Sequence, residues 1–160
     1  MIILLILALF VAVSFGLTAI SAAPWVPLRK KDINALLKDL NLSHGKVFVE
    51  LGSGDGRLLK AAGNTGAMVI GYELNAFLWL VSYFRLLGTP TAKVYLRNFW
   101  KRPLDKADCV MAFLVPRTMP RLAHKLGKEM QPGSRFISYV FALPGKDPAQ
   151  KHRSWYIYDF

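Results

Sequence analysis

Residues 47–57 read VFVELGSGDGR, an apolar run that passes into three glycines at alternate positions, Gly52, Gly54 and Gly56. The apolar run predicts a buried β-strand, and the residues from Arg57 onward suit a helix. Glycine at such a turn lets the backbone bend sharply and lets a ligand approach without Cβ atoms in the way. The spacing is G-x-G-x-G, which differs from the G-x-G-x-x-G of dinucleotide-binding turns. The stretch therefore predicts a strand, a ligand-binding loop and a helix.

Three acidic residues fall on or beside this loop, out of ten in the whole chain. Glu50 lies inside the apolar run, where a carboxylate is costly to bury unless a positive or hydrogen-bonding group meets it. Glu73 ends the second predicted strand, 17 residues after Gly56. From there a carboxylate can accept both ribose hydroxyls of an adenosine. Asp55 lies in the loop itself. The alternatives are that Glu73 is a solvated strand end and that Asp55 only caps the next helix.

From Asp32 onward the chain alternates helical and strand patterns. The strand runs are continuous and apolar, which is typical of a parallel sheet covered by helices on both faces. We expect strands at 46–51, 67–74, 93–96, 108–115, 135–141 and 155–160, and helices at 32–40, 57–62, 75–87 and 117–130. The pattern predicts an α/β fold with a mostly parallel sheet in a domain over residues 46–160.

The first 23 residues are apolar apart from small hydroxyl side chains and one glycine, and no side chain up to Leu28 is ionisable. As a helix, such a segment spans roughly 30–35 Å, the thickness of a bilayer core. Residues 1–23 are therefore predicted to be a transmembrane helix. A signal peptide cleaved after the small residues at 21–23, and a buried core helix, remain as alternatives.

Residues 24–45 are predicted to be a linker with a short helix before the domain. Pro24 and Pro27 flank Trp25 and Val26, a composition that fits an exit from the membrane at headgroup level. The basic run at 29–31 follows, with no positive side chain before the apolar segment. It predicts a single-pass membrane protein whose domain is cytoplasmic, with membrane lipid as a partner. In a eukaryote the mitochondrial inner membrane is the alternative location.

Composition narrows the remaining classes. With 160 residues the chain has room for one domain. A hydrophobic fraction of 53% excludes a disordered basic tail despite the net charge of +11. The single cysteine, Cys109, excludes a disulfide framework and a zinc site with two or more thiolates, and no metal site is predicted.

The quoted stretches together resemble a known family. The apolar N-terminus, PWVP, VFVELGSGDGRLLKAA, GYELN, NFW, DCVMAFLVP and RFISYVFALPG resemble the small membrane-anchored protein-lysine methyltransferases. That family includes the lysine methyltransferases of the ATP synthase c-ring protein and of the adenine nucleotide translocase. The glycine loop is similar to the first motif of class I methyltransferases, which use S-adenosylmethionine (SAM). The resemblance covers most of the chain and implies a Rossmann-like fold with SAM as cofactor. It also implies methyl transfer to a lysine of a membrane or membrane-associated protein.

The resemblance also assigns expected roles to residues. Glu50 would meet the ammonium or sulfonium of SAM, and Glu73 its ribose. Asn98 replaces the family's usual aspartate, and its amide oxygen can accept from the adenine amino group, with Phe99 stacking on the ring. The expected cofactor-binding residues are Glu50, Gly52, Ser53, Gly54, Asp55, Gly56, Glu73, Asn98 and Phe99. Phe113, Pro116 and Tyr139 are candidates for the walls of an acceptor channel, and no catalytic base is predicted.

Two other functions stay open. One is a SAM-dependent methyltransferase acting on RNA or a small molecule, which the basic composition favours. The fourth predicted strand ends in FLVP, however, and lacks the Asn-Pro-Pro-Tyr-type motif of enzymes that methylate nucleobase amino groups. The length leaves no room for a separate recognition domain, so no specific nucleic-acid partner is expected. The other function is a non-catalytic membrane scaffold with a vestigial glycine loop.

Overall fold

The structure is a computed structural model that describes residues 1–21 and 25–160, with side chains for all of these except residues 7 and 17–21. Ala22, Ala23 and Pro24 lie outside the described residues. The predicted signal-peptide cleavage site and the predicted end of the transmembrane segment fall partly on them.

A seven-stranded sheet forms the centre of the domain, in the order β3-β2-β1-β4-β5-β7-β6. Five parallel strands are followed by two antiparallel ones. Their bounds are β1 Val47–Leu51, β2 Met68–Glu73, β3 Ala92–Leu96, β4 Cys109–Ala112, β5 Arg135–Tyr139, β6 Gln150–Lys151 and β7 Trp155–Asp159. The predicted α/β fold with a mostly parallel sheet is confirmed. The strand order reverses between β1 and β4, which is where ligands bind in open sheets of this kind.

Five helices accompany the sheet: α1 Ile2–Ser21, α2 Lys30–Leu40, α3 Arg57–Gly63, α4 Ala76–Arg85 and α5 Met119–Glu129. Alternate residues of each central strand point to opposite faces, so Phe48 packs in one core cluster and Val49 in the other. Helices α2 and α3 cover the first face, and α5 covers the second. Helix α2 is therefore part of the domain core, although its residues fall in the predicted linker.

Helix α1 is apolar and largely exposed, but one side of it packs on the domain. Phe15 contacts Phe77 of α4, with ring centroids 6.2 Å apart, and Ser14 is buried. Among residues 1–21 and 25–160, no helix combines the length and the hydropathy that a membrane crossing requires. The prediction of a transmembrane helix over residues 1–23 is therefore not supported by the structure. It treated the whole segment as lipid-facing, whereas part of α1 is packed against α4.

Candidate active site

A cavity of about 590 Å³ lies where β1, β2 and β4 end, at the point where the strand order reverses. We call this side of the sheet, where the parallel strands end, the carboxyl edge. The cavity volume is within the usual range for small-molecule sites. The chain forms it from the glycine loop, from the residues after β4 and β5, and from segments that precede the domain. The site predicted from the sequence thus coincides with a cavity.

The glycine loop passes closely under other parts of the chain. Gly54 and Gly56 both have positive φ angles, 55° and 74°, which side-chain-bearing residues rarely adopt. A Cβ on Gly56 would lie 2.1 Å from Oγ of Ser82 in α4, and a Cβ on Gly54 would lie 2.7 Å from Nε1 of Trp25. Both positions therefore require glycine for conformation as well as for space. Ser53 is buried in the same loop and lines the cavity.

Glu73 closes the loop against the end of β2. Its Oε2 accepts a hydrogen bond from the backbone N–H of Gly54 at 2.7 Å, and its Oε1 accepts from Leu74 at 2.8 Å and Asn75 at 2.7 Å. A carboxylate oxygen accepts about two hydrogen bonds. Among contacts within the described residues, Oε1 is thus fully used and Oε2 keeps one position at the cavity. In this arrangement Glu73 can take one ribose hydroxyl, whereas the sequence predicted two.

Glu50 is the most unusual group in the cavity. It lines the wall, it is buried, and its Oε2 has no hydrogen-bond partner among the residues that the structure describes. Burial, together with the charges of Asp55 and Glu73, raises the pKa of Glu50 well above its ordinary value. An unpaired buried carboxyl group fits a ligand that brings a positive charge and hydrogen-bond donors. The ammonium and sulfonium of SAM have that chemistry, so these residues fit the cofactor.

Asp55 also lines the cavity, but it is held by two arginines. Arg57 donates to it from Nε at 2.9 Å and from Nη2 at 2.8 Å, and Nη2 of Arg85 lies 3.0 Å away. Burial raises the pKa of Asp55, but the hydrogen bonds and charges of the guanidinium groups outweigh it, and the pKa lies below its ordinary value. The side chain does not cap α3, whose N-cap, Gly56, receives no side-chain hydrogen bond. Its predicted contact with the cofactor stays a prediction.

Asn98 and Phe99 are placed differently from each other. Phe99 is buried, lines the cavity and packs on Trp100, with ring centroids 4.6 Å apart. Asn98 does not line the cavity. Its Oδ1 accepts from the backbone N–H of Trp100 at 3.0 Å and so caps the short 3₁₀ turn that follows. The neighbouring Arg97 lines the cavity instead, although the sequence analysis did not select it.

Of the three predicted acceptor-channel residues, only Phe113 lines the cavity. Pro116 is exposed and begins a 3₁₀ turn beyond the cavity wall. Tyr139 is buried behind Phe113, with ring centroids 4.8 Å apart, and its hydroxyl donates to Oδ2 of Asp32 in α2. Pro116 and Tyr139 were predicted wrongly, because strand ends alone do not show which side chains reach the cavity.

The sequence analysis missed a wall of the cavity that comes from before the domain. Residues 25–28 line it, and Nη1 of Arg57 donates to the carbonyl of Leu28 at 2.8 Å, which fixes that segment beside the glycine loop. The sequence analysis had assigned Trp25 to a membrane exit. Phe15 of α1 lines the cavity as well. No sequence signal places these residues there, because the contact joins segments that are distant along the chain.

Apolar side chains after β4 and β5 complete the cavity, namely Leu114, Val115, Val140 and Phe141. Val140 has a φ of 74°. A β-branched residue in this left-handed region is strained, and such residues cluster at functional sites. In the described part of the chain, no group of three or more His, Cys, Asp or Glu residues could hold a metal ion.

Comparison with known proteins agrees with this geometry. Residues 50–150 match the model of the ANTKMT methyltransferase domain. The lysine N-methyltransferase of the ATP synthase c-ring protein from Rattus norvegicus is 36% identical over 130 residues, which cover 78% of this chain and 59% of that protein. The adenine nucleotide translocase lysine N-methyltransferase of Mus musculus is 37% identical over 131 residues, covering 78% and 56%. This chain thus spans less than two thirds of the length of these relatives.

A shorter relative and two solved structures extend the comparison. A protein-lysine N-methyltransferase of Saccharolobus islandicus (strain REY15A) is 28% identical over 132 residues, covering 79% of this chain and 82% of that protein. An RNA methyltransferase from Salinibacter ruber, solved with S-adenosyl-L-homocysteine, superposes with a TM-score of 0.78 at 22% identity, covering 84% and 93%. A SAM-dependent methyltransferase from Thiobacillus denitrificans gives 0.63 at 20% identity, covering 82% and 58%. At these identities the two structures establish the class I methyltransferase fold.

Proposed function

Because the chain belongs to the ANTKMT methyltransferase domain family, we propose that it transfers a methyl group from SAM to a lysine of a protein. This membership confirms the family resemblance seen in the sequence. The observation that carries the proposal is the unpaired Glu50 carboxyl in the cavity beneath the glycine loop. A cationic cofactor removes the cost of that group by supplying the charge and the donors that the described residues do not.

Each cofactor-facing residue has a distinct part in this proposal. Glu50 meets the positive charges, the free position on Oε2 of Glu73 accepts a ribose hydroxyl, and Phe99 provides an apolar surface for the adenine. The arginines that hold Asp55 keep the loop in place. SAM, when bound, supplies a methyl group that is already activated by its sulfonium. The protein therefore contributes position and the exclusion of water rather than acid–base chemistry.

The acceptor side of the cavity suits an uncharged amine. Phe113, Leu114, Val140 and Phe141 are apolar, and a lysine side chain among them is partly removed from water. Desolvation lowers the pKa of an ammonium group and so favours the neutral, nucleophilic amine. The lysine loses its proton before the transfer, and its nitrogen then displaces the sulfonium sulfur from the methyl carbon. This arrangement supports a lysine acceptor without a dedicated base.

The acceptor is, in this proposal, a lysine on a membrane or membrane-associated protein. The names of the relatives identify two such proteins as their substrates, the c-ring protein of ATP synthase and the adenine nucleotide translocase. We also propose that α1 associates with a membrane and that the domain lies on its cytoplasmic side. The exposed apolar residues at the start of α1 and the exposed basic residues at 29–31 support this. Phe15 makes α1 part of the cavity wall, so the cavity would lie close to that membrane.

The test is to incubate the purified full chain and radiolabelled SAM with separated membrane and cytosolic fractions from a strain that lacks the gene. We expect label on a membrane protein, in a form that acid hydrolysis releases as methyl-lysine. Glu73→Ala should remove the signal. Asp108→Asn, on the opposite side of the sheet, should keep it. Label that appears only in soluble protein or in RNA would contradict the proposal.

A further inference from the structure

An apolar stripe runs along the outer side of α4, and only its beginning is covered. Phe77, Leu80, Phe84 and Leu87 follow one another at helical spacing and continue into the turn after the helix. Phe77 lies against Phe15 of α1, but Leu80 is 37% exposed, Phe84 59% and Leu87 61%. Tyr83, beside them, is 50% exposed. Large apolar side chains that are contiguous and exposed indicate an interaction surface.

A surface groove of about 390 Å³ lies at the end of this stripe, between the end of α4 and β3. Its walls include Tyr83, Leu87, Val94 and Tyr95, and Lys93 lies at the same site. Strand β3 is an edge of the sheet, and its Tyr95 is also exposed. The groove thus offers an apolar floor with a cation beside it, the combination that accommodates an acyl chain and an anionic headgroup.

The charge of this region decides between a lipid and a second copy of the chain. Residues 74–104 contain no Asp or Glu and carry five basic residues, Arg85, Lys93, Arg97, Lys101 and Arg102. The chain as a whole has a net charge of +11, so two copies meeting at this basic face would repel each other. Anionic phospholipid attracts the same face, and tyrosines at its border are typical of the membrane interface.

We propose that the face formed by Leu80, Tyr83, Phe84, Leu87 and Tyr95, which we call the α4 face, binds the surface of a bilayer that contains anionic phospholipid. It is a second membrane contact, added to that of α1, and the inference rests on the proposed membrane association. Leu78 of the same helix lines the cavity. Two contacts, through α1 and α4, fix the orientation of the cavity relative to the bilayer, which one helix alone does not do.

An environment-sensitive fluorophore on a cysteine introduced as Leu87→Cys tests the orientation in the full chain. The native Cys109 is buried and its pKa is raised to about 12, so it does not compete for the label. The control is Lys128→Cys on α5, which packs on the opposite face of the sheet. The probe vesicles contain phosphatidylcholine with about one third phosphatidylglycerol. We expect a blue shift and loss of iodide quenching at position 87, and no change at position 128.

The outcomes separate the inference from the proposal on which it rests. A chain that floats with the vesicles while the probe at 87 stays in water overturns the α4 face alone. A chain that does not float at all overturns the membrane association and the α4 face together. A blue shift that needs no vesicles and rises with protein concentration identifies the face as an interface between copies, and it overturns the lipid assignment.

Two variants add a quantitative test. Phe84→Ser combined with Leu87→Ser should weaken vesicle binding roughly tenfold or more, since each side chain loses most of its transfer free energy. Both residues are exposed, so thermal unfolding without vesicles should not change, which controls for folding. Lys93→Gln should lower the preference for anionic over phosphatidylcholine vesicles about fivefold. Unchanged vesicle binding by the double variant overturns the inference.

Discussion

The two edges of the parallel sheet use the same kinds of charged residue in opposite ways. At the carboxyl edge, Glu50 and Glu73 are buried and line a cavity. At the amino edge, where the parallel strands begin, Lys46 pairs with Asp108 at 2.9 Å and Arg135 with Asp159 at 3.1 Å, all largely in contact with solvent. Exposed pairs of this kind contribute little. Buried carboxylates are costly, so their retention indicates a ligand.

The comparison also separates two kinds of buried carboxylate at the carboxyl edge. Glu73 receives three backbone hydrogen bonds and holds the loop, whereas Glu50 has an oxygen without a partner among the described residues. Glu73 therefore serves both structure and binding. Glu50 lowers the stability of the empty protein and provides a place to hold a cation.

The largest expected effect comes from adding a methyl group to the glycine loop. Gly56→Ala should destabilise the protein by about 2–4 kcal/mol, because the Cβ would clash with Ser82 and the positive φ disfavours alanine. The matched control is Gly133→Ala at the amino edge. Its φ is 84°, but nothing lies within 4 Å of its Cβ position, so it should cost only about 1 kcal/mol. Urea unfolding of both variants measures the difference, and equal losses would contradict the close packing of the loop.

Glu73→Ala should raise the dissociation constant for SAM about 10- to 100-fold. The change removes a charged acceptor for the ribose and leaves the Gly54 N–H without its partner. Isothermal titration measures the affinity, with circular dichroism as the check on folding. A dissociation constant within a factor of two of the wild type in a folded variant would reduce Glu73 to a strand end.

Glu50→Gln should stabilise the cofactor-free protein by about 1–2 kcal/mol at neutral pH while it weakens SAM binding. The pKa of Glu50 is raised in the folded state, so the fold holds this proton more tightly than the unfolded chain does. Wild-type stability therefore falls as pH rises above the ordinary glutamate value, and it levels off at the folded pKa. The advantage of the variant should grow over that window. Thermal unfolding across a pH series tests this, and a pH-independent advantage would be inconsistent with it.

The smallest effect is expected at the amino edge. Asp108→Asn should cost at most about 1 kcal/mol and leave the affinity for SAM unchanged within about twofold. The hydrogen bond from Lys46 holds the pKa of Asp108 below its ordinary value. The small contribution is thus present above the ordinary aspartate pKa and is lost in acid as pH falls through the folded value. Unfolding at neutral and acid pH checks it. A large loss of SAM affinity would mean that the two edges are not separate.

Most of the fold could be predicted because it depends on local patterns. Continuous apolar runs located all five parallel strands and β7, and the glycines located the turn into α3. The strand β6 was missed, because two residues carry no periodicity. Helix α1 was predicted as a helix, but its packing on α4 was not, because apolar composition does not distinguish lipid from protein neighbours.

The site was less predictable where it depends on tertiary contacts. Glu50, Glu73 and the loop follow from strand ends, and the structure places all of them at the cavity. Tyr139 was misplaced because its partner, Asp32, lies more than a hundred residues away in the chain. Residues 25–28 were assigned to a membrane exit for the same reason, since only the fold brings them to Gly54.

The most direct test of the central claim is a calorimetric titration of the purified full chain with SAM and, separately, with NAD. The account predicts that one SAM binds per chain, that Glu73→Ala weakens this binding at least tenfold, and that Asp108→Asn does not. NAD should give no heat of binding. Absence of SAM binding to the folded wild type, or equal weakening by the two variants, would contradict the assignment of the carboxyl edge as the cofactor site.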